Sequence, residues 1–106
     1  MFLYNVTISI DEQIENEWIQ WMKNIHIPEV LNTGCFIESR LSRVNGEEDG
    51  GLTYAITYLA PSEEMYLHYQ KQFAPELQKK HTDKFSGKFA AFRTTLSVIH
   101  EFKVNG

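Results

Sequence analysis

Between Phe2 and Ile10 apolar residues occupy every second position (Phe2, Tyr4, Val6, Ile8, Ile10), with Asn5, Thr7 and Ser9 among the intervening ones. A two-residue period marks a strand with one face buried, so this segment is predicted as strand one. Asp11 follows as an N-cap, and Glu12 and Glu15 stand where a helix start favours negative charge. Ile14, Trp18, Met22 and Ile25 then recur every three to four residues, and Trp21 widens the stripe. That spacing predicts a helix with one buried face. Because Pro28 lacks an amide hydrogen and restricts the residue before it, the helix should end or kink between Asn24 and Ile27. Pro28-Glu29-Val30-Leu31 then opens a short second turn, which Gly34 closes.

The second half repeats this plan. Cys35 to Val44 alternates as strand two, and Asn45-Gly46-Glu47-Glu48-Asp49-Gly50-Gly51 connects it to strand three, Leu52 to Leu59, as a hairpin. Ser62 caps a second helix whose buried stripe is Met65, Tyr66, Tyr69, Phe73 and Leu77, interrupted at Pro75 and resuming to about Lys84. Ser86-Gly87 turns the chain into a long last strand, Phe89 to Phe102. The order is βαββαβ, with a weak internal repeat at the two breaks, Ile27-Pro28-Glu29-Val30 beside Ala74-Pro75-Glu76-Leu77. Right-handed crossovers place both helices on one face of a four-stranded antiparallel sheet. The expected fold class is α+β, a single ferredoxin-like domain over residues 1–106.

Assigning the apolar set of each strand to the helices gives Tyr4, Val6 and Ile8, then Cys35, Ile37 and Leu41, then Tyr54, Ile56 and Tyr58, then Phe92, Leu96 and Val98. The other face then holds Asn5, Thr7 and Ser9, Phe36, Glu38, Arg40 and Ser42, Thr53, Ala55 and Thr57, and Arg93, Thr95 and Ser97. Such a face is either wet, as antiparallel sheets allow, or covered by a second copy in a dimeric α/β barrel. In the second case Glu38, Arg40 and Arg93 sit at the polar centre of an enclosed pocket. Buried charges need partners, and two arginines against one glutamate leave room for an acidic ligand. Arginines in surface or inter-subunit salt bridges are the competing reading.

Composition narrows the field. The 106 residues are 42% hydrophobic and 23% charged with a formal charge of −4, the profile of one folded domain. A chain of this size buries roughly 60–70% of its unfolded surface, so a self-partner would help it. The negative balance argues against nucleic acid or an anionic membrane as partner. Cys35 alone excludes an internal disulfide framework. No basic start, long apolar run or membrane-length segment stands in the sequence, so a cytoplasmic location is expected. His26, His68, His81 and His100 are too scattered for a metal set. Lys79-Lys80-His81 with Lys84 and Lys88 reads as a solvated helix end, and Cys35 as a small core residue.

His26 is the natural candidate for proton transfer, since imidazole titrates near neutrality. A helix-end cap is the stronger explanation for it, as dipole complementation is for Glu29. Trp18 fits the core stripe, whereas Trp21 lies at its edge and suits a pocket or interface. Tyr4-Asn5-Val6-Thr7, Trp18 with Trp21-Met22, His26-Ile27-Pro28-Glu29-Val30-Leu31, Gly34, Thr53-Tyr54 and Phe89 with Ala91-Phe92-Arg93-Thr94 resemble domain-of-unknown-function family 4286, a bacterial family. The resemblance spans nearly the whole chain and implies the dimeric α/β-barrel superfamily. That superfamily includes cofactor-free antibiotic-biosynthesis-type monooxygenases, muconolactone isomerases and EthD-like proteins. It supplies no catalytic residue to carry over. The expectation is therefore a homodimer, joined through its sheet face, that binds a small anionic or aromatic molecule without cofactor or metal. Its candidate ligand residues are Trp21, His26, Glu38, Arg40 and Arg93. The alternatives are a cofactor-free enzyme using His26 as acid or base, and a non-catalytic interaction module.

Overall fold

The alternation at the start of the chain becomes strand β1, Phe2–Ile10, whose five even-numbered side chains are all buried. The computed structural model describes residues 1–46 and 52–105, so most of the predicted connection before Leu52 lies outside the described residues. Asp11 caps a short 3₁₀ turn, Glu12–Ile14, its carboxylate accepting from the Gln13 amide at 3.0 Å. Helix α1, Glu15–Trp21, follows directly. Strand β2 is Glu38–Arg43 and β3 is Leu52–Ala60. Ser62 caps α3, Glu63–Gln72, by accepting from the Met65 amide. After a break at Phe73, α4 runs Ala74–Lys84, and β4 is Phe89–Ser97. The sheet order is β2-β3-β1-β4, antiparallel throughout. This is the ferredoxin-like arrangement the element order predicts.

Pro28 shapes the first helical layer. A proline inside a helix offers no donor, and its ring collides with the carbonyl four residues earlier. The chain answers with a π-helical turn, Met22–His26, in which the Ile27 amide bonds to the Met22 carbonyl, before α2 resumes over Ile27–Leu31. The extra residue in the turn rotates everything after Met22. Ile25, which a regular helix would bury, is 46% exposed, while His26 turns inward and Ile27 and Val30 are buried. Gly34 (φ 78°) and Gly87 (φ 75°) close the two helical layers in a left-handed conformation that side chains with a Cβ adopt at a cost.

Three sequence expectations need correction. Strand two is shorter than Cys35 to Val44, and its start lies out of phase: Phe36 is buried against Tyr4, Tyr58 and Tyr69, and Ile37 is 56% exposed. The segment before Glu38 is not yet strand, so alternation does not govern it. Strand four ends at Ser97 rather than Phe102, and Ile99, Phe102 and Val104 are almost fully exposed. Its faces are also reversed. The pairs Val6↔Arg93 and Ile8↔Ala91 put Phe89, Ala91, Arg93, Thr95 and Ser97 on the helix side, and Phe92 and Leu96 on the other. A one-residue phase error exchanges every side chain of a strand. β4 is an edge strand only partly covered by helices, so its bulky residues were a false guide to the core.

The core itself is aromatic. Tyr4 packs against Tyr58, Tyr66 and Tyr69, and Trp18 against Tyr54. Burial pushes the Tyr58 and Tyr69 hydroxyls well above the usual phenol range. Cys35 is buried, as its small apolar character suggests. The corrected phase gives a direct test. In urea unfolding, Phe36→Ala should cost about 3–5 kcal/mol, as a core aromatic deletion does. Ile37→Ala should stay within about 0.5 kcal/mol of the parent.

Candidate functional site

A cluster of buried polar side chains lies where the π turn and α4 cover β1, β3 and β4. Trp18, Met22 and His26 come from the first helical layer, Gln78, His81 and Thr82 from α4, and Phe85 from the cap that ends α4. Trp18 is fully buried, and its indole N–H donates to His81 Nε2 at 2.9 Å. Indole nitrogen can only donate. His81 Nε2 therefore carries no proton, and in the neutral ring the proton resides on Nδ1. Phe89 meets the same imidazole edge-on at 4.4 Å, and Phe85 lies 5.4 Å away.

His26 lies beside it, with ring centroids 5.9 Å apart, and Trp21 stacks on the outer face of His26 at 5.1 Å. His26 Nδ1 is sealed from solvent and has no hydrogen-bond partner among the described residues. Burial holds the His26 pKa down at about 4, only partly opposed by the Glu29 carboxylate, while the Lys80 cation adds to the depression. Burial likewise holds His81 at about 4, with smaller contributions from His26 and the Arg93 guanidinium. Both rings are neutral at pH 7.

These two imidazoles line a pocket of about 40 Å³ whose walls are Tyr4, Val6, Ile8, Ile56, Tyr58, Tyr69, Phe89 and Ala91, and at whose rim stands Arg93. The Arg93 Nε–H donates to the Tyr4 hydroxyl at 3.1 Å. Water needs roughly 10–15 Å³ by this measure. The pocket thus admits a few heavy atoms in this conformation.

The five residues singled out from the sequence divide between two places. His26 and Arg93 meet in the pocket, and Trp21 backs His26 without lining it. Arg93 was expected on the opposite sheet face and is on the helix side because β4 has the reverse phase. Glu38 and Arg40 do lie on the opposite face, beside an open hollow of about 210 Å³ formed with Leu3, Ser39, Thr57 and Leu59. Both are exposed in the single chain, so neither requires a charge partner. Glu29 pairs with Lys80 at 3.0 Å across the helices, and Lys79 with Asp83 at 2.6 Å.

His81 was missed as a site residue. Its lysine neighbours suggested a solvated end, yet it is 6% exposed. The signal was its spacing, four residues after Leu77 and four before Phe85, both buried. Tyr4, Tyr69, Gln78 and Thr82 also line the pocket without having been singled out as ligand residues. Among the described residues no group of three or more His, Cys, Asp or Glu is placed to hold a metal ion. None of the described helices is long and apolar enough to cross a membrane.

A family model described as Domain of unknown function (DUF4286) matches residues 1–99. No curated protein matches the sequence. Among solved structures, a dimeric ferredoxin-like protein from an uncultured marine organism is 20% identical, covering 98% of this chain and 100% of its own, with a TM-score of 0.68. HapK from Hahella chejuensis is 9% identical with full coverage of both chains and a TM-score of 0.74. An EthD-family protein from Bacillus halodurans is 10% identical, covering 89% of this chain and 97% of its own, with a TM-score of 0.63. At these identities the likeness establishes the fold.

The buried imidazoles make stability depend on pH in a defined direction. From the ordinary histidine value of 6.5 down to about 4, the unfolded chain binds protons that folded His26 and His81 refuse. Stability should therefore fall as pH drops through that window, and these two groups should contribute no slope above it. Urea midpoints from pH 8 to pH 4 check this. Trp18→Phe should cost about 2 kcal/mol at pH 7 from the stranded His81 Nε2 alone.

Proposed function

The chain belongs to the family described as Domain of unknown function (DUF4286), and we propose that it acts as a homodimeric small-molecule-binding protein whose ligand enters between the helices and the sheet. The observation that carries the binding reading is His26 Nδ1, a buried polar atom with no partner among the described residues, in a side chain that lines a pocket. Leaving such an atom unpaired costs about 1–3 kcal/mol, which a ligand or water bonded there would recover. The location differs from the sequence expectation of a chamber between two sheets, because the phase of β4 moves Arg93 to the helix side.

The sheet's other face supports the homodimer. The pairings Leu59↔Leu3 and Leu3↔Leu96 lay an apolar row across three strands. Phe92 and Leu96 are 63% and 48% exposed there. Thr7, Thr53, Ala55 and Thr57 complete the uncharged part of this face, with Glu38 and Arg40 beside Leu59 and Thr57 on its outer strand. A second copy of the same face suits it, since residues on a two-fold axis meet themselves and no foreign complementarity is needed.

A second reading, proton transfer by His26, is favoured by the neutral ring and its unengaged nitrogen. A cytoplasmic location agrees with the sequence and with either reading.

Three experiments bear on these proposals. Sedimentation should give a dimer for the parent and the single-chain mass for the double variant Phe92→Asp, Leu96→Asp; a parent sedimenting as a single chain at all concentrations refutes the homodimer. Screening neutral and charged fragments by imidazole ¹⁵N shifts should reveal binders that move His26 and His81, and Ala91→Trp, which fills the pocket, should abolish them. A screen in which no fragment moves either ring refutes the binding reading. Once a turned-over substrate is found, His26→Asn should lower kcat at least about 100-fold if His26 moves the proton.

A further inference from the structure

The charge, tautomer and size of this pocket narrow its occupant, on the premise that it binds a ligand at all. Its lining contains no aspartate or glutamate, and its one charged side chain is Arg93. Arg93 takes part in none of the three ion pairs among the described residues. Its Nε is engaged by Tyr4. That leaves the two terminal nitrogens of a planar fork suited to carboxylate.

The imidazoles add hydrogen bonding without charge. Trp18 fixes His81 as the tautomer with its proton on Nδ1, so that nitrogen is the one with a hydrogen to donate. Beside it, His26 keeps an unpartnered Nδ1. One fixed positive charge and two neutral rings match a monoanion with a further oxygen, and are short of charge for a dianion. The volume of about 40 Å³ is well below the roughly 150 Å³ of an apolar cavity that takes benzene, so it encloses neither a ring nor a whole short acid in this conformation. It admits the few atoms that carry an acid's second oxygen, while the carboxylate stays outside at Arg93.

We propose that the pocket selects small monoanionic oxo- or hydroxy-carboxylates, the carboxylate paired with Arg93 and the second oxygen hydrogen-bonded by the His81 and His26 imidazoles. The Arg93 charge already reaches His81, where it helps hold the ring neutral. A bound carboxylate offsets that charge, so occupancy should raise the His81 pKa.

The test is a calorimetric and ¹⁵N-NMR titration of the intact chain with pyruvate, lactate, propionate, lactamide and benzoate. Pyruvate and lactate should bind and shift His81. Propionate, which lacks the second oxygen, should bind about tenfold more weakly, the worth of one good hydrogen bond. Lactamide, which lacks the charge, and benzoate, whose ring is too large to enter and which lacks the second oxygen, should fail. Arg93→Gln should weaken pyruvate at least about tenfold and remove the preference for lactate over lactamide. Because Trp18→Phe disturbs the core, the tautomer is read in the parent, where ¹⁵N shifts should place the His81 proton on Nδ1. The proposal is overturned if lactamide binds as tightly as lactate, if Arg93→Gln binds pyruvate unchanged, or if His81 is protonated on Nε2. Should the fragment screen find only neutral or aromatic binders, this proposal falls and the binding reading stands; should nothing bind, both fall.

Discussion

A single buried hydrogen bond, from the Trp18 indole to His81 Nε2, sets the terms for the interior of this protein. It joins α1 to α4 over the middle of the sheet, two elements far apart in sequence. An indole can only donate, so it dictates which nitrogen of His81 accepts and leaves the other to face the remaining chemistry. It also makes protonation of His81 expensive, because a second proton would set two donors against each other in a site already poor in water. The neighbouring aromatics Phe85 and Phe89 keep that environment apolar. The neutral state of the pair is thus a result of packing.

The second constraint is covalent. Pro28 forces the π turn, and the π turn changes which residues the first helical layer buries. With regular helix geometry Ile25 would complete an apolar stripe and His26 would sit at its margin. The extra residue in the turn exposes Ile25 and turns His26 toward His81. π turns often occur at functional sites, and the physical reason is visible here: the irregularity brings in a polar side chain where the regular repeat would bring an aliphatic one. Lys80 and Glu29 then tie α2 to α4 on the outside of the same junction.

Much of this was legible in the sequence, and the limits have specific causes. Strand β1, the Asp11 and Ser62 caps and the two proline breaks follow from local rules, and the structure places them where alternation and capping chemistry do. Strand β4 was read in the wrong phase because Phe92 and Leu96 are apolar and Arg93 is charged. Apolar character indicates the buried face only where a strand is covered on that side, and an edge strand is only partly covered. Phe36 was misplaced because alternation was carried back into residues that precede the strand. His26 and Arg93 were recognisable as chemistry, but their meeting depends on the β4 phase and the π turn together, neither of which a period count supplies. His81 was hidden by composition: lysines at neighbouring positions point outward from the same helix that turns the histidine in.

β4 also explains how one small sheet can serve two purposes. Neighbouring residues on a strand point to opposite faces, so Phe92 lies on the face proposed for a second copy while Arg93 stands at the rim of the pocket. The sheet separates the two surfaces, and the backbone of this strand connects them. A dimer that holds β4 in place from outside would fix the position of Arg93 inside, at no cost in residues from the core. An edge strand with few helix contacts has low local stability when alone. The arginine at the pocket rim is therefore only as well placed as the strand that carries it, and the exposed apolar row on the reverse of that strand is the feature available to secure it.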